Sequence, residues 1–210
     1  LSVSSDDGKI YIDQVKNICE EHYSDVSREH AVQPGLVYIS DPTELGTIYT
    51  KRELEELSGY CKSKGMYLFL DGARLGYALG AQDNDISLHD LSVLCDAFYI
   101  GGTKVGALFG EAMIISDSFL KKDFRYIVKQ RGGLLAKGRL LGLQFAALFE
   151  DRLYYEISEQ ANRLAMKIRA VCEAKGFGFL SDSKTNQQFP ILPDELLAKL
   201  NDDYSFSVWK

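Results

Sequence analysis

The feature that most constrains the fold is the alternation of short apolar runs with segments of helical periodicity. The apolar runs are Leu36 to Ser40, Met66 to Leu70, Ala97 to Ile100 and Ala107 to Ile115. Apolar residues at helical spacing fill the intervals, as in Leu54, Leu57 and Cys61. This alternation predicts an α/β fold, with a mostly parallel sheet flanked by helices. The run at Met66 to Leu70 is too apolar to alternate, so we expect a strand covered on both faces.

Local signals define the ends of several elements. Asp41-Pro42 is a turn-forming pair that ends the first run. Thr50 and Glu53 have the spacing of a capping box, in which each side chain satisfies a free backbone amide at a helix start. We expect that helix to stop near Gly65 and a further helix at Leu88 to Leu94.

The second half of the chain has a different pattern. Residues Leu134 to Phe149 predict a long helix that is apolar on more than one side, which indicates burial between layers or subunits. A helix at Tyr155 to Lys175 should end at Gly176. Beyond it we expect strands at Phe189 to Leu192 and Ser205 to Trp209, with a short helix at Glu195 to Leu200. Residues 151–210 therefore predict part of a smaller C-terminal α+β domain, and residues 1–150 part of a large domain.

Charge and composition exclude several partners. The formal net charge of -6 is the wrong sign for a protein that binds nucleic acid or an anionic membrane. No apolar run approaches the roughly 20 residues that span a bilayer. The 4 cysteines form no CxxC pair, and they and the histidines do not form the set of spaced ligands of a metal site, so we expect free thiols and no metal. A cytoplasmic enzyme is the expectation that remains.

Candidate chemical groups follow two of the predicted strands. Asp71 and Arg74 come after the second strand, and Lys104 follows the third in a glycine-rich loop. Ligands of open α/β sheets bind at the carboxyl ends of the strands, so an acid and a lysine are expected to meet in one crevice. That pair suits pyridoxal phosphate (PLP), whose aldehyde bonds to a lysine and whose ring nitrogen needs a carboxylate. The residues alone leave another interpretation open, in which Lys104 is a solvated surface charge and Arg74 pairs with Asp71 at a turn.

Two motifs carry a resemblance to a known family. The run Leu70 to Leu75 (LDGARL) and the block Tyr99 to Ala112 (YIGGTKVGALFGEA) resemble the aspartate and lysine segments of PLP-dependent threonine aldolases and aromatic amino acid β-eliminating lyases. Further matches are LVYISDPTELGTIYT from Leu36, KQRGGLLAKGRLLG from Lys129, and TNQQFPIL from Thr185. The resemblance spans nearly the whole chain and implies the fold type I architecture of PLP enzymes.

The resemblance also implies roles for individual residues. Lys104 matches the lysine that carries PLP as a Schiff base, and Asp71 matches the partner of the pyridine nitrogen. Arg74 matches the arginine that lies against the cofactor and holds the substrate carboxylate. Thr103 matches a small hydroxyl residue that contacts the cofactor or shapes the turn. A loose local match suggests that Arg131 or Lys137 reaches the phosphate in a neighbouring subunit.

The implied reaction is the cleavage of the Cα–Cβ bond of a β-hydroxy amino acid such as threonine, giving glycine and an aldehyde. β-Elimination, or another PLP-dependent reaction of amino acids on the same fold, is the alternative, because both pass through a Cα carbanion. The family also implies a homodimer or homotetramer.

The chain departs from the family's pattern in two ways. Family members have an N-terminal portion with a phosphate-binding Gly-Thr loop, and a C-terminal strand with a second carboxylate-binding arginine, and we expect both to be missing here. Asp41 stands where many members have asparagine, which adds a negative charge near the cofactor. A truncated, non-catalytic chain is therefore a further alternative.

Overall fold

A computed structural model describes residues 1–208 of the 210-residue chain. Its strands are β1 (Leu36–Ser40), β2 (Tyr67–Asp71), β3 (Ala97–Gly101) and β4 (Glu111–Ile115). Its α-helices are α1 (Ile12–Ser24), α2 (Lys51–Lys64), α3 (Leu75–Leu79), α4 (Leu88–Leu94), α5 (Ser118–Lys121), α6 (Phe124–Gln130), α7 (Arg139–Phe149), α8 (Leu153–Ala174) and α9 (Asp194–Leu200). Strands and helices alternate through the first half of the chain, as the sequence predicts.

The strands form one mixed sheet in the order β1-β2-β3-β4. The first three strands are parallel, and β4 returns antiparallel to β3. The predicted α/β fold with a mostly parallel sheet is therefore confirmed. Because β1, β2 and β3 run in one direction, Ser40, Asp71 and Gly101 meet at the same edge of the sheet.

One face of the sheet carries most of the core. Val37 and Ile39 of β1, Leu68 and Leu70 of β2, and Phe98 of β3 are buried. The residues between them on β1 and β2 are exposed or half-buried. The expectation that β2 is covered on both faces is wrong for this chain, because β2 alternates between buried and half-buried positions.

The predicted capping box of α2 is confirmed. Thr50 Oγ1 accepts a hydrogen bond from the Glu53 amide, and Glu53 Oε2 accepts one of 2.7 Å from the Thr50 amide. At the other end Gly65 adopts the left-handed conformation, with φ of 66°, and its amide bonds back to the last turn. These contacts fix the length of the helix that leads into β2.

The fourth strand is shorter than predicted. It begins at Glu111 instead of Ala107, because residues 107–110 turn away from the sheet before β4. Gly106 and Gly110 have φ of 105° and 92°, and the Gln144 side chain bonds the backbone of Leu108 and Phe109. The Gln144 side chain of α7, instead of a neighbouring strand, therefore bonds the backbone of these residues.

The predicted long helix at Leu134 to Phe149 begins only at Arg139. Gly138 precedes it, and the chain between α6 and α7 includes Gly132 at φ of 74°. Glycine is unfavourable inside a helix, so the regular helix begins only after Gly138 despite the apolar spacing. The predicted helices at Tyr155 to Lys175 and Glu195 to Leu200 are confirmed within two residues as α8 and α9.

The two predicted C-terminal strands are wrong as written. Near Phe189 to Leu192 the structure has only an isolated bridge between Phe179 and Pro190. Proline has no backbone N–H, so Pro190 cannot donate the hydrogen bond that a regular strand pairing would need at its position. Residues 205–208 form no strand, and Trp209 lies outside the described residues.

Among residues 1–208, no helix has the length and apolar character needed to cross a membrane. The same residues contain no group of three or more His, Cys, Asp or Glu side chains arranged to hold a metal ion. Cys19, Cys61, Cys95 and Cys172 are free thiols, as predicted, and the first three are buried.

Candidate active site

Asp71, the last residue of β2, is held by three hydrogen-bond donors. Its Oδ1 accepts from the Tyr99 hydroxyl and, at 3.0 Å, from the Ala73 amide. Its Oδ2 accepts from the Tyr38 hydroxyl. Tyr38 lies on β1 and Tyr99 on β3, so the two neighbouring strands reach the carboxylate from either side.

Asp71 is a carboxylate at neutral pH. Burial raises the pKa of Asp71, but hydrogen bonds from Tyr38, Tyr99 and the Ala73 amide, together with the charge of Lys104, bring the pKa below its ordinary value. The carboxylate therefore keeps its negative charge, which is the state needed to hold a proton on a nearby ring nitrogen.

Lys104 lies in the loop that follows β3, with an exposed side chain. Within residues 1–208, no hydrogen bond or ion pair engages its Nζ, but its charge lies close enough to Asp71 to lower the pKa of that carboxyl. The structure therefore brings together the acid and the lysine that the sequence placed at the ends of two strands.

The backbone around Lys104 is fixed by two tyrosines. The Tyr77 hydroxyl on α3 donates to the Lys104 carbonyl, and the Tyr154 hydroxyl on α8 donates to the Gly101 carbonyl at 2.9 Å. Asn162, also on α8, donates to the Tyr77 carbonyl at 2.8 Å. Helices α3 and α8 therefore bond the backbone of the lysine loop, and in the described part of the chain no partner engages the Lys104 amine.

Two glycines allow the aspartate and lysine segments to cross in direct backbone contact. The Gly101 amide donates to the Gly72 carbonyl at 2.8 Å. A Cβ on Gly72 would lie 1.9 Å from the Tyr99 carbonyl oxygen, and one on Gly101 would lie 2.2 Å from the Ala73 carbonyl oxygen. Only glycine fits at these two positions, so both glycines serve the close approach that joins Asp71 to Lys104.

Arg74 does not pair with Asp71. It directly precedes α3, its side chain is largely buried, and its Nη1 donates to Glu44 Oε1 at 3.0 Å. Glu44 belongs to the loop after β1, so the guanidinium lies between the ends of β1 and β2. The simple turn interpretation, in which Arg74 pairs with Asp71, is therefore wrong. The contact of Arg74 with a cofactor or a substrate carboxylate stays a prediction.

Thr103 is exposed, and its Oγ1 lies 3.5 Å from Glu111 Oε1. The other oxygen of Glu111 accepts from the Gly102 amide at 2.8 Å. Glu111 thus shapes the turn next to Lys104. The contact of Thr103 with a cofactor stays a prediction.

Arg131 and Lys137 lie in the exposed connection between α6 and α7. In the described part of the chain, no hydrogen bond or ion pair joins either side chain to Asp71 or Lys104. Their assignment to a neighbouring subunit's phosphate stays a prediction.

Asp41 is turned into the protein and is only 2% exposed. Its Oδ1 accepts from the Tyr49 amide at 3.2 Å. Burial raises the pKa of Asp41 to about 7, against the lowering effect of the Tyr49 amide and Lys9. The negative charge expected from its replacement of asparagine is therefore only partial near neutral pH.

The sequence did not single out Tyr38, Tyr99, Tyr77 and Tyr154. The available signal was the alternation along the strands, which places Tyr38, Phe69 and Tyr99 on the same face as Asp71. The register of β1 and β2 pairs Tyr38 with Phe69, and the centroids of their stacked rings are 5.4 Å apart.

Comparison with known proteins gives one consistent answer. The model of the β-eliminating lyase family matches residues 2–192. A low specificity L-threonine aldolase from Pseudomonas aeruginosa is 32% identical over 176 residues, which cover 81% of this chain and 50% of the relative. A second, from another Pseudomonas strain, is 30% identical over 205 residues, covering 95% of this chain and 57% of the relative. The chain spans about half the length of the curated relatives it matches.

The fold is shared with solved structures. A threonine aldolase from Leishmania major superimposes with a TM-score of 0.92 and 46% identity over 98% of this chain and 59% of that one. The fold alone is shared with L,L-diaminopimelate aminotransferase from Chlamydomonas reinhardtii, at a TM-score of 0.58 and 14% identity. The architecture is that of fold type I PLP enzymes. Because the family model covers nearly the whole sequence, including both crossing segments, the chain belongs to the β-eliminating lyase family.

Proposed function

We propose that the protein to which this chain belongs is a PLP-dependent lyase. It cleaves the Cα–Cβ bond of a β-hydroxy amino acid such as threonine, giving glycine and an aldehyde. The observation that carries the proposal is the ionised Asp71 near Lys104, whose amine has no partner within residues 1–208, at the carboxyl ends of the parallel strands. The threonine aldolases among the relatives favour this reaction.

The residues present fit PLP. Lys104 offers an exposed primary amine for the aldehyde carbon, and Asp71 offers a carboxylate with an acceptor position still open. A carboxylate has about four lone-pair positions, and three donors occupy Asp71 in the described part of the chain. When bound, PLP supplies an electron sink that stabilises negative charge at Cα.

Each residue has a defined task in the proposed reaction. With PLP bound, Asp71 Oδ2 would accept a hydrogen bond from the protonated ring nitrogen, and Lys104 Nζ would hold the cofactor between turnovers. Arg74 binds the substrate carboxylate by charge-assisted hydrogen bonds after exchanging its partner Glu44, and Thr103 adds a cofactor contact. The overall reaction removes the β-hydroxyl proton, leaves the Cα–Cβ electron pair at Cα and returns a proton to Cα, so threonine yields glycine and acetaldehyde.

Product analysis tests the reaction. With PLP and L-threonine, the whole protein is expected to release glycine and acetaldehyde in equal amounts. The matched substrate is L-serine, from which β-elimination gives pyruvate and ammonia. Pyruvate from serine without glycine from threonine would replace the aldolase proposal by the β-elimination alternative. The same assay on the 210-residue chain alone tests the truncated, non-catalytic alternative, which predicts that neither glycine nor acetaldehyde is released.

We also propose that the protein is a homo-oligomer, a dimer or tetramer. The support is the apolar surface of α7, where Leu140 and Leu143 are 59% and 58% exposed. In sedimentation velocity, the parent should move as a dimer or tetramer, and Leu140→Glu combined with Leu143→Glu should move as a smaller species. Val93→Glu, at an equally exposed residue on α4, is the matched control. A parent that sediments as a monomer at all concentrations would contradict the proposal.

Two further assignments stay proposals. Residues 1–150 would be part of the large PLP-binding domain with its interface helix, and residues 151–210 part of the small C-terminal domain. We propose the cytoplasm as the compartment, which the free thiols support.

A further inference from the structure

We propose that Tyr38 and Tyr99 are positioning residues, whose hydroxyl groups clamp Asp71 from both sides and leave one acceptor position on Oδ2 for a single N–H donor. This inference rests on the proposed function, because that donor is the protonated ring nitrogen of PLP. It adds two residues of this chain to the machinery of the site.

The hydrogen-bond geometry of Asp71 carries the proposal. Its Oδ1 has both lone pairs occupied, by the Tyr99 hydroxyl and the Ala73 amide. Its Oδ2 has one lone pair occupied, by the Tyr38 hydroxyl. One position remains, on the oxygen that Tyr38 orients. The carboxylate is thereby fixed in rotation, with one direction open to a ligand.

The phenol rings are themselves held in place. The Phe69 ring on β2 contacts both. Its centroid lies 5.4 Å from that of Tyr38, in a stacked arrangement, and 6.2 Å from that of Tyr99, in a tilted one. The three residues come from three adjacent strands of the sheet. These ring contacts favour the side-chain orientations in which both hydroxyl groups reach Asp71.

Both phenols stay protonated donors. Burial, the hydrogen bond to Asp71 and the nearby charges of Asp71 and Glu44 raise the pKa of Tyr38 to about 12. Burial, the same carboxylate and Glu111 also raise the pKa of Tyr99. Among the described residues, Lys104 is the charged group that acts on Asp71. Arg74 pairs with Glu44 instead. Around neutral pH, the clamp is therefore two O–H donors on one carboxylate.

The sign of the pH effect follows from these contacts. The donors hold the pKa of Asp71 below its ordinary value, so the carboxylate persists into acid. Removing a donor leaves the effect of burial less opposed and raises that pKa. Loss of PLP binding on acidification should then begin at a higher pH.

The test compares Tyr38→Phe, Tyr99→Phe and the parent by two readouts. The first is the titration of the Asp71 carboxyl carbon by ¹³C NMR in the cofactor-free whole protein. The second is PLP affinity as a function of pH in the whole protein. Tyr67→Phe is the matched control, because Tyr67 lies on the same face of β2, roughly 13 Å along the strand from Asp71.

Tyr38→Phe should move the Asp71 titration to higher pH and weaken PLP binding about tenfold on the acidic side, as expected for one hydrogen bond to a charged group. Tyr99→Phe should have a smaller effect, because Oδ1 keeps the Ala73 amide. Tyr67→Phe should match the parent.

An unchanged Asp71 titration in Tyr38→Phe would overturn the clamp. A shifted titration with an unchanged pH dependence of PLP affinity would overturn its role toward the cofactor. A parent that takes up no PLP would instead overturn the proposed function, and this outcome is distinguishable because the NMR readout needs no cofactor.

Discussion

The Lys104→Ala variant is expected to fold and to lose completely the yellow absorbance that the parent protein gains with PLP. The side chain is exposed, and the bond from Tyr77 goes to the backbone carbonyl, which alanine retains. The substitution removes the amine that bonds the aldehyde and leaves the loop in place. Visible absorbance after gel filtration measures the result, and circular dichroism checks the fold.

The matched control for this variant is Lys167→Ala, which removes an exposed lysine from α8. It should keep the full absorbance, because Lys104 and not Lys167 contributes to the pKa shift of Asp71. Retained absorbance in Lys104→Ala, with the fold intact, would show that another lysine carries the cofactor.

Asp71→Ala is expected to lower the rate of threonine cleavage in the whole protein by about 10²- to 10³-fold, the usual cost of removing a group that stabilises developing charge. The ring nitrogen loses the anion that keeps it protonated, so the cofactor accepts electrons from Cα less well. Tyr38, Tyr99 and the Ala73 amide also lose their shared acceptor. The initial rate of glycine formation at saturating PLP measures the effect.

Asp71→Asn separates charge from shape. It keeps an acceptor oxygen of nearly the same size but carries no negative charge, so it should lose most of the activity that Asp71→Ala loses. Asp83→Ala, at an exposed carboxylate, should retain the parent rate. Full activity in Asp71→Ala would refute the role assigned to Asp71.

Local signals predicted the elements that position the site. The apolar runs gave β1, β2 and β3, and the capping residues Thr50 and Glu53 gave the start of α2. Because β2 and β3 are parallel neighbours, residues that follow their carboxyl ends, such as Asp71 and Lys104, lie at the same end of the sheet. These features depend on residues close in sequence, which is why a single sequence reveals them.

The parts that the sequence did not reveal depend on contacts between distant residues. Tyr38 and Tyr99 reach Asp71 across 33 and 28 positions, through the register of neighbouring strands. Gln144 ends the expected extension of β4 from 36 positions away. No local pattern encodes these partners.

The glycines of the site show the same limit. Asp71-Gly72 has the composition of an ordinary turn, and Gly101-Gly102 that of an ordinary loop. Their structural reason is the crossing of two backbones, where Gly101 donates to Gly72. That reason becomes visible only when both segments are placed.

Borohydride reduction followed by peptide mass mapping tests the central claim most directly. The whole protein is loaded with PLP, reduced and digested, and the modified lysine is located. The expected result is one phosphopyridoxyl group, on Lys104. Modification of a different lysine, or none in a protein that turns over threonine, would contradict the assignment of this chain's site.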